Sequence, residues 1–182
     1  MKGSLARYTL LLALSATAAW AQDCVAARGL GHATTPPEVA LHDNDVWGGT
    51  ICLTLNGQEV LIGVWSGQDG VTVWHSPRES MGVGKGGSDT FAFNRQPDGT
   101  YRDTLTTFAT NATFPAPPGQ IGFGSYQASH KIVSGTGRFR NATGTLLCTG
   151  PYVWLPAAGG TTDVGYFNLE ISGNICNVEP AP

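Results

Sequence analysis

From Trp47 to the C-terminus, short apolar or alternating runs are separated by turn residues at intervals typical of an all-β sandwich or barrel. "GGTICLTL" leads through Asn56-Gly57, a dipeptide suited to a type I′ turn, into "QEVLIGVWSG". Asp69-Gly70 turns the chain into "VTVWHS". In "SDTFAFN" Phe91 and Phe93 lie two apart, on one face of a strand. Pro97-Asp98-Gly99 closes the next hairpin, and "YRDTLTTFAT" has the Thr and aromatic content of a strand. "QIGFGSYQASHKIV", "GTLLCTGPYVWL" and "DVGYFNLEISGNIC" complete a set of eight predicted strands. No stretch after residue 21 keeps a helical apolar period over three turns. An eight-stranded antiparallel sheet removes its exposed edges by closing on itself, so the fold class expected is all-β, a closed barrel. A barrel of this size is filled by side chains or holds one small ligand.

The segment before these strands divides in two. Residues 1–21 read as a secretory signal peptide, with Lys2 and Arg7 at the positive end, "YTLLLALSATAAW" as the apolar stretch and Ala19-Trp20-Ala21 as the cleavage site. Residues 22–46 contain Gly and a Pro-Pro pair and show no clean period, so they are expected to be an extended lead-in to a barrel domain spanning 47–182. Cys24 is not preceded by the small apolar run that lipoprotein processing requires. The expected location is therefore secreted, periplasmic or extracellular, with no membrane attachment after cleavage.

At 182 residues, with 41% apolar and 13% charged residues, the chain fits one globular domain. Without Lys2 and Arg7 it carries 8 basic against 13 acidic residues, a formal charge of −5. Basic residues this few and scattered do not make a nucleic-acid surface.

Cys24, Cys52, Cys148 and Cys176 all lie in the exported part, and an even count there favours two disulfides. Spacings of 28, 96 and 28 residues do not give the close ligand pairs of a structural zinc site. Three connectivities are open. Tying the termini together favours Cys24 with Cys176, which leaves Cys52 for Cys148.

Two glycine-rich stretches suggest a nucleotide site, and neither has its context. In "KIVSGTGRFRNATGTLLC" Arg140 occupies the place of the third glycine. Gly82, Gly84 and Gly87 in "MGVGKGGSD" do satisfy G-x-G-x-x-G, with Lys85 among them, but a strand-like "DTFAF" follows where a helix is needed. The second stretch reads as an inter-strand loop and the first as a β-corner, with Phe139 plugging a barrel end and Arg138 and Arg140 free to face solvent or cap carbonyls.

That corner also carries a resemblance. Ile132, Gly135, Thr136, Gly137, Phe139, Ala142, Thr143 and Gly144 resemble the I-x-G-G-T-G-x-F-x-x-A-T-G signature of the allene oxide cyclase and dirigent-like β-barrels, with Ser134 in place of the usual first glycine. "YFNLEISGNIC" resembles the final strand of those proteins. The resemblance implies an eight-stranded calycin-like barrel in a secreted, microbial-type member. It transfers no site residue, because the pocket residues of characterised members lie on other strands.

Candidate chemistry comes from polar residues on strands. Tyr126 and His130 share a face, as do Asp103, Tyr101 and Leu105, and Glu170, Tyr166 and Asn168. Asp103, His130 and Glu170 are the candidate catalytic groups, since a carboxyl or imidazole in a barrel pocket serves as a general acid or base. Their plainer reading is that they face water. Trp65, Trp74 and Tyr126 are candidates to line a ligand cavity, or else ordinary core. His32, His42, His75 and His130 include no close pair, so no metal site and no cofactor is expected. Asn111 and Asn141 begin N-glycosylation sequons. The functions expected are binding of a small, largely apolar molecule, a cofactor-independent cyclase, isomerase or dirigent-type coupling guide, or a structural protein with a filled barrel.

Overall fold

A computed structural model describes residues 23–34, 46–68, 72–74, 81–84, 87–115, 123–156 and 163–181. The signal segment, His42, His75 and Lys85 lie outside them. Ten strands appear in chain order: β1 (Cys24–Thr34), β2 (Val46–Leu55), β3 (Glu59–Gln68), β4 (Thr72–Trp74), β5 (Met81–Gly84), β6 (Ser88–Arg95), β7 (Tyr101–Pro115), β8 (Phe123–Thr136), β9 (Thr143–Pro156) and β10 (Asp163–Cys176). Eight of them close a ring, β7-β6-β3-β2-β1-β10-β9-β8 and back to β7, with every pairing antiparallel.

The number eight is as expected, but its membership is not. Residues 24–34 are not a lead-in; they form a stave between β2 and β10. After Val25, their inward positions, Ala27, Gly29, Gly31 and Ala33, are all small. A strand whose buried face is Ala and Gly shows no alternation of bulky apolar residues, which is why the pattern is silent there. Thr72–Trp74 of the "VTVW" run enter the sheet as β4 outside the ring, paired among the described residues with β5, which in turn pairs with β7 beyond the end of β6. Gly82 and Gly84 of the second glycine-rich stretch lie in β5 rather than in a loop.

Along each stave alternate residues point inward, and the core collects Ile51 and Leu53 from β2, Phe91 and Phe93 from β6, Leu146 from β9 and Ile171 and Ile175 from β10. One end of the barrel is closed. The β2–β3 hairpin turns there through Asn56 and Gly57, both at positive φ (49° and 69°) as a type I′ turn demands. A short 3-10 turn, Gly137–Phe139, joins β8 to β9 and places Phe139 in the barrel fully buried. Gly137 has φ +54°, and a Cβ on it would sit 2.0 Å from Asp103 Oδ1, so this position accepts only glycine. Arg138 does not face solvent: it is buried, forks onto the Glu59 carboxylate and donates from Nε to the Glu179 carbonyl (3.2 Å), whereas Arg140 is exposed.

At the same end the β1–β10 register sets Cys24 opposite Cys176, and the two form a disulfide across a Cα–Cα distance of 3.8 Å. The expected Cys52–Cys148 bond does not exist. Cys52 points outward from β2, Cys148 is buried inside β9, and two staves separate them. Thiols on opposite faces of a sheet, with two strands between them, cannot approach bonding distance.

Candidate functional site

The opposite end of the barrel, where β2, β6, β8 and β10 begin and β3 and β9 end, buries a polar cluster. Asp89, two residues before Phe91 on the inward face of β6, is 1% exposed. Its Oδ1 accepts hydrogen bonds from the indole N–H of Trp65 (2.7 Å) on β3 and of Trp47 (3.0 Å) on β2. Its Oδ2 lies 2.9 Å from Nδ1 of His130 on β8, also 1% exposed. Gly67 makes this convergence possible, because a Cβ there would fall 2.2 Å from both Trp47 Nε1 and Asp89 Oδ1.

His130 links the carboxylate to a phenol. Nε2 is 3.1 Å from the Tyr126 hydroxyl, and the Thr107 hydroxyl lies 3.3 Å from Nδ1. Four residues apart on one strand face, Tyr126 and His130 meet over Ala128, whose methyl group leaves the space between them open. Cys148, inward from the neighbouring strand at the position paired with Ala128, adds to the rise in the imidazole pKa.

Burial by itself lowers the imidazole pKa; the hydrogen bond to Asp89, reinforced by Cys148 and by the charge on the carboxylate, overcomes it and raises the pKa to about 10. That direction favours the protonated imidazole, whose Nδ1 faces the Asp89 carboxylate and whose Nε2 faces the Tyr126 oxygen.

Aromatic rings surround the cluster. Phe167 packs against Trp47 (5.8 Å between centroids), Tyr126 (5.9 Å) and Tyr152 (6.2 Å), and Trp65 meets Phe91 edge to face (5.9 Å). The arrangement sets a phenol and an imidazole–carboxylate pair among aromatic rings inside the barrel.

The candidates chosen from the sequence separate. Tyr126, His130 and Trp65 come together in this cluster. Trp74 lies in β4, and its side chain is outside the described residues. Asp103 is buried at the closed end, where it accepts from the Asn94 amide, Arg102 and the Arg138 backbone N–H. Burial works to raise the Asp103 pKa, but those donors, the Asn94 amide first, hold it below the ordinary carboxylate value. It is an anchor for the corner, remote from His130. Glu170 is on the outer wall, exposed. There it borders a shallow groove of about 790 Å³ that crosses β1, β2, β9 and β10 beside Leu30, Ile62 and the His32–Asn168 hydrogen bond (2.7 Å). The groove is separated from the buried cluster by the barrel wall. Of the two sequon asparagines, Asn141 is exposed in the corner and Asn111 lies within β7.

Asp89, Trp47 and Thr107 escaped the sequence reading, and Cys148 was expected in a disulfide. Asp89 shares the two-residue period of Phe91 and Phe93, which puts it inside, and Trp47 shares the period of Ile51 and Leu53. Those signals were present. What was missing was the cross-barrel geometry that makes a buried aspartate tolerable.

No family model matches the chain, and no curated protein matches it. Among solved structures it is similar to that of the pterocarpan synthase dirigent protein GePTS1, with 16% identity, coverage of 96% of this chain and 100% of that chain, and a TM-score of 0.43. The eight-stranded antiparallel barrel is established by the strand pairing itself.

Proposed function

We propose that the protein is exported and that its barrel binds a small, largely apolar molecule at the end occupied by Asp89, His130 and Tyr126. The observation that carries this reading is the Asp89–His130 pair, 2.9 Å apart and 1% exposed on both sides, inside a wall of aromatic rings. Stability alone does not call for such a pair, since well-packed apolar residues of similar volume are as good or better. Buried titratable groups with shifted pKa values gather at functional sites. Export is supported by the leader-like residues 1–21 and by the Cys24–Cys176 disulfide, a bond of oxidising compartments.

A second reading, a cofactor-independent cyclase, isomerase or coupling guide, is favoured by one feature: the imidazolium contacts a phenol in a site poor in water, where proton donation to a reacting oxygen is strengthened. Native mass spectrometry of protein purified from its own source tests the binding reading. A retained small molecule, lost in a folded Tyr126→Phe or Asp89→Asn variant, is the expected result. Protein that is always empty, and that takes up no N-phenyl-1-naphthylamine from solution, overturns it.

A further inference from the structure

The groove on the outer wall has features that a closed barrel does not need. Outward side chains of five neighbouring strands form a row across it: Ile62 on β3, Cys52 on β2, Leu30 on β1, Glu170 on β10 and Thr149 on β9, each directly paired with the next. Leu30 is 64% exposed and Ile62 76%. Outward positions of a sheet in water are ordinarily polar, so two large aliphatic side chains on either side of a thiol give this part of the wall an apolar patch. The other half of the row is polar. Glu170 is exposed beside Leu30, and the His32–Asn168 hydrogen bond (2.7 Å) ties β1 to β10 two residues nearer the end that holds Asp89. The β9–β10 ladder lapses between the pairs Glu170–Thr149 and Phe167–Tyr152, where Pro151 has no N–H to donate, and the groove runs over this gap. Its volume of about 790 Å³ is that of a small-molecule site.

Charge sets the class of the ligand. Among the described residues that line the groove Glu170 is the one carboxylate, there is no lysine or arginine, and Glu170 makes no ion pair with any described residue. Arg28, two residues back along β1 on the same outward face, is outside the lining. An anion brought here would meet a like charge, whereas a cation finds a carboxylate without an ionic partner. From Ile62 to Glu170 the row spans three strand spacings, about 14 Å, which is the reach of a medium-length alkyl chain.

We propose that this groove is a second binding site, for an apolar molecule with one cationic nitrogen, whose hydrocarbon lies on Leu30 and Ile62 and whose ammonium group meets Glu170. It is independent of the interior cluster, because the barrel wall lies between them. Cys52 makes the site testable. Its thiol is exposed on the groove between Leu30 and Ile62, whereas Cys148 is buried and Cys24 and Cys176 are bonded to each other. An occupant of the groove therefore slows alkylation of Cys52, and a ligand held inside the barrel does not.

The experiment follows labelling of Cys52 by N-ethylmaleimide in the folded protein, read by mass spectrometry, against increasing decylammonium, 1-decanol and decanoate, which share an alkyl chain and differ in charge. Decylammonium is expected to give half protection at a concentration about three- to fivefold below that of 1-decanol, the scale of an exposed ion pair, with decanoate the weakest. Glu170→Gln should bring decylammonium to the level of 1-decanol, and Ile62→Ser should weaken both. The order of the three probes in the wild-type protein gives the same answer if a variant folds poorly. Absence of protection by all three probes overturns the site. Equal protection by all three, or an order that folded Glu170→Gln retains, overturns the assignment of a cationic ligand.

Discussion

Each end of the barrel buries a carboxylate, and the two are satisfied by different kinds of partner. Asp103, at the closed end, is held by its sequence neighbour Arg102, by the nearby Asn94 and by a backbone N–H of the corner. Asp89, at the other end, is held by side chains alone, from β2, β3 and β8. Local partners and a tight corner are what a chain uses to fix its own course. A cluster gathered from distant strands, whose outermost group is a phenol, fixes instead the chemistry of an interior. The difference assigns architecture to one end and, on the function proposed above, recognition to the other.

The largest expected effect tests the closed end. The Cys24–Cys176 bond spans 152 residues, so replacing both cysteines by serine should cost up to about 5 kcal/mol by the loop-entropy estimate. The urea midpoint should fall accordingly, while probe binding per folded molecule stays unchanged; loss of binding in the folded fraction would mean that the two ends are coupled.

Asp89→Ala, at the other end, should cost about 3–5 kcal/mol because it strands the His130 imidazole and two indole N–H groups. Unlike the disulfide variant, it should also abolish probe binding at temperatures where the protein remains folded. A variant that is destabilised yet binds normally would reduce the cluster to a structural device.

pH separates the ends without mutation. His130 has its pKa raised from 6.5 to about 10, so its contribution to stability is fully present below pH 6.5 and is lost as pH rises toward 10. Asp103 has its pKa lowered, so its contribution is present above the ordinary carboxylate value and is lost as pH falls through the folded-state value. Thermal melts across pH should show a loss of a few kcal/mol on the alkaline side that disappears in His130→Asn, and a smaller acid loss that disappears in Asp103→Asn.

The smallest effect distinguishes the two arginines of the corner. Arg138→Ala removes a buried partner of Glu59 and should cost about 2 kcal/mol or more, whereas exposed Arg140→Ala should stay within about 0.5 kcal/mol. Chemical denaturation of the pair measures both.

Much of this was legible in the chain. The Asn56-Gly57 turn, the alternating face of β6 and the corner around Phe139 are local patterns, and local patterns survive in sequence. β1 was not legible, because its buried face is Ala27, Gly29, Gly31 and Ala33. Gly31 is small because Trp65 needs the room: a Cβ there would meet the Trp65 ring at 3.0 Å. The reason for the sequence of β1 thus lies on another strand. Asp89 is the same kind of case, an aspartate at an inward position that reads as an error until Trp47, Trp65 and His130 are brought to it.

By itself the sequence determined that this chain is all-β, that its eight-strand count fits a closed barrel, and that Tyr126 and His130 share a face, because turn chemistry and a two-residue period act over a few positions. Only the tertiary structure decided which eight strands form the ring, that Cys52 and Cys148 stay apart, that Asp103 anchors a corner, and that Asp89 meets Trp47, Trp65 and His130 inside the barrel. Each of those outcomes depends on which strands become neighbours. Ring closure sets that, through the summed twist and register of the staves, and no single segment encodes it.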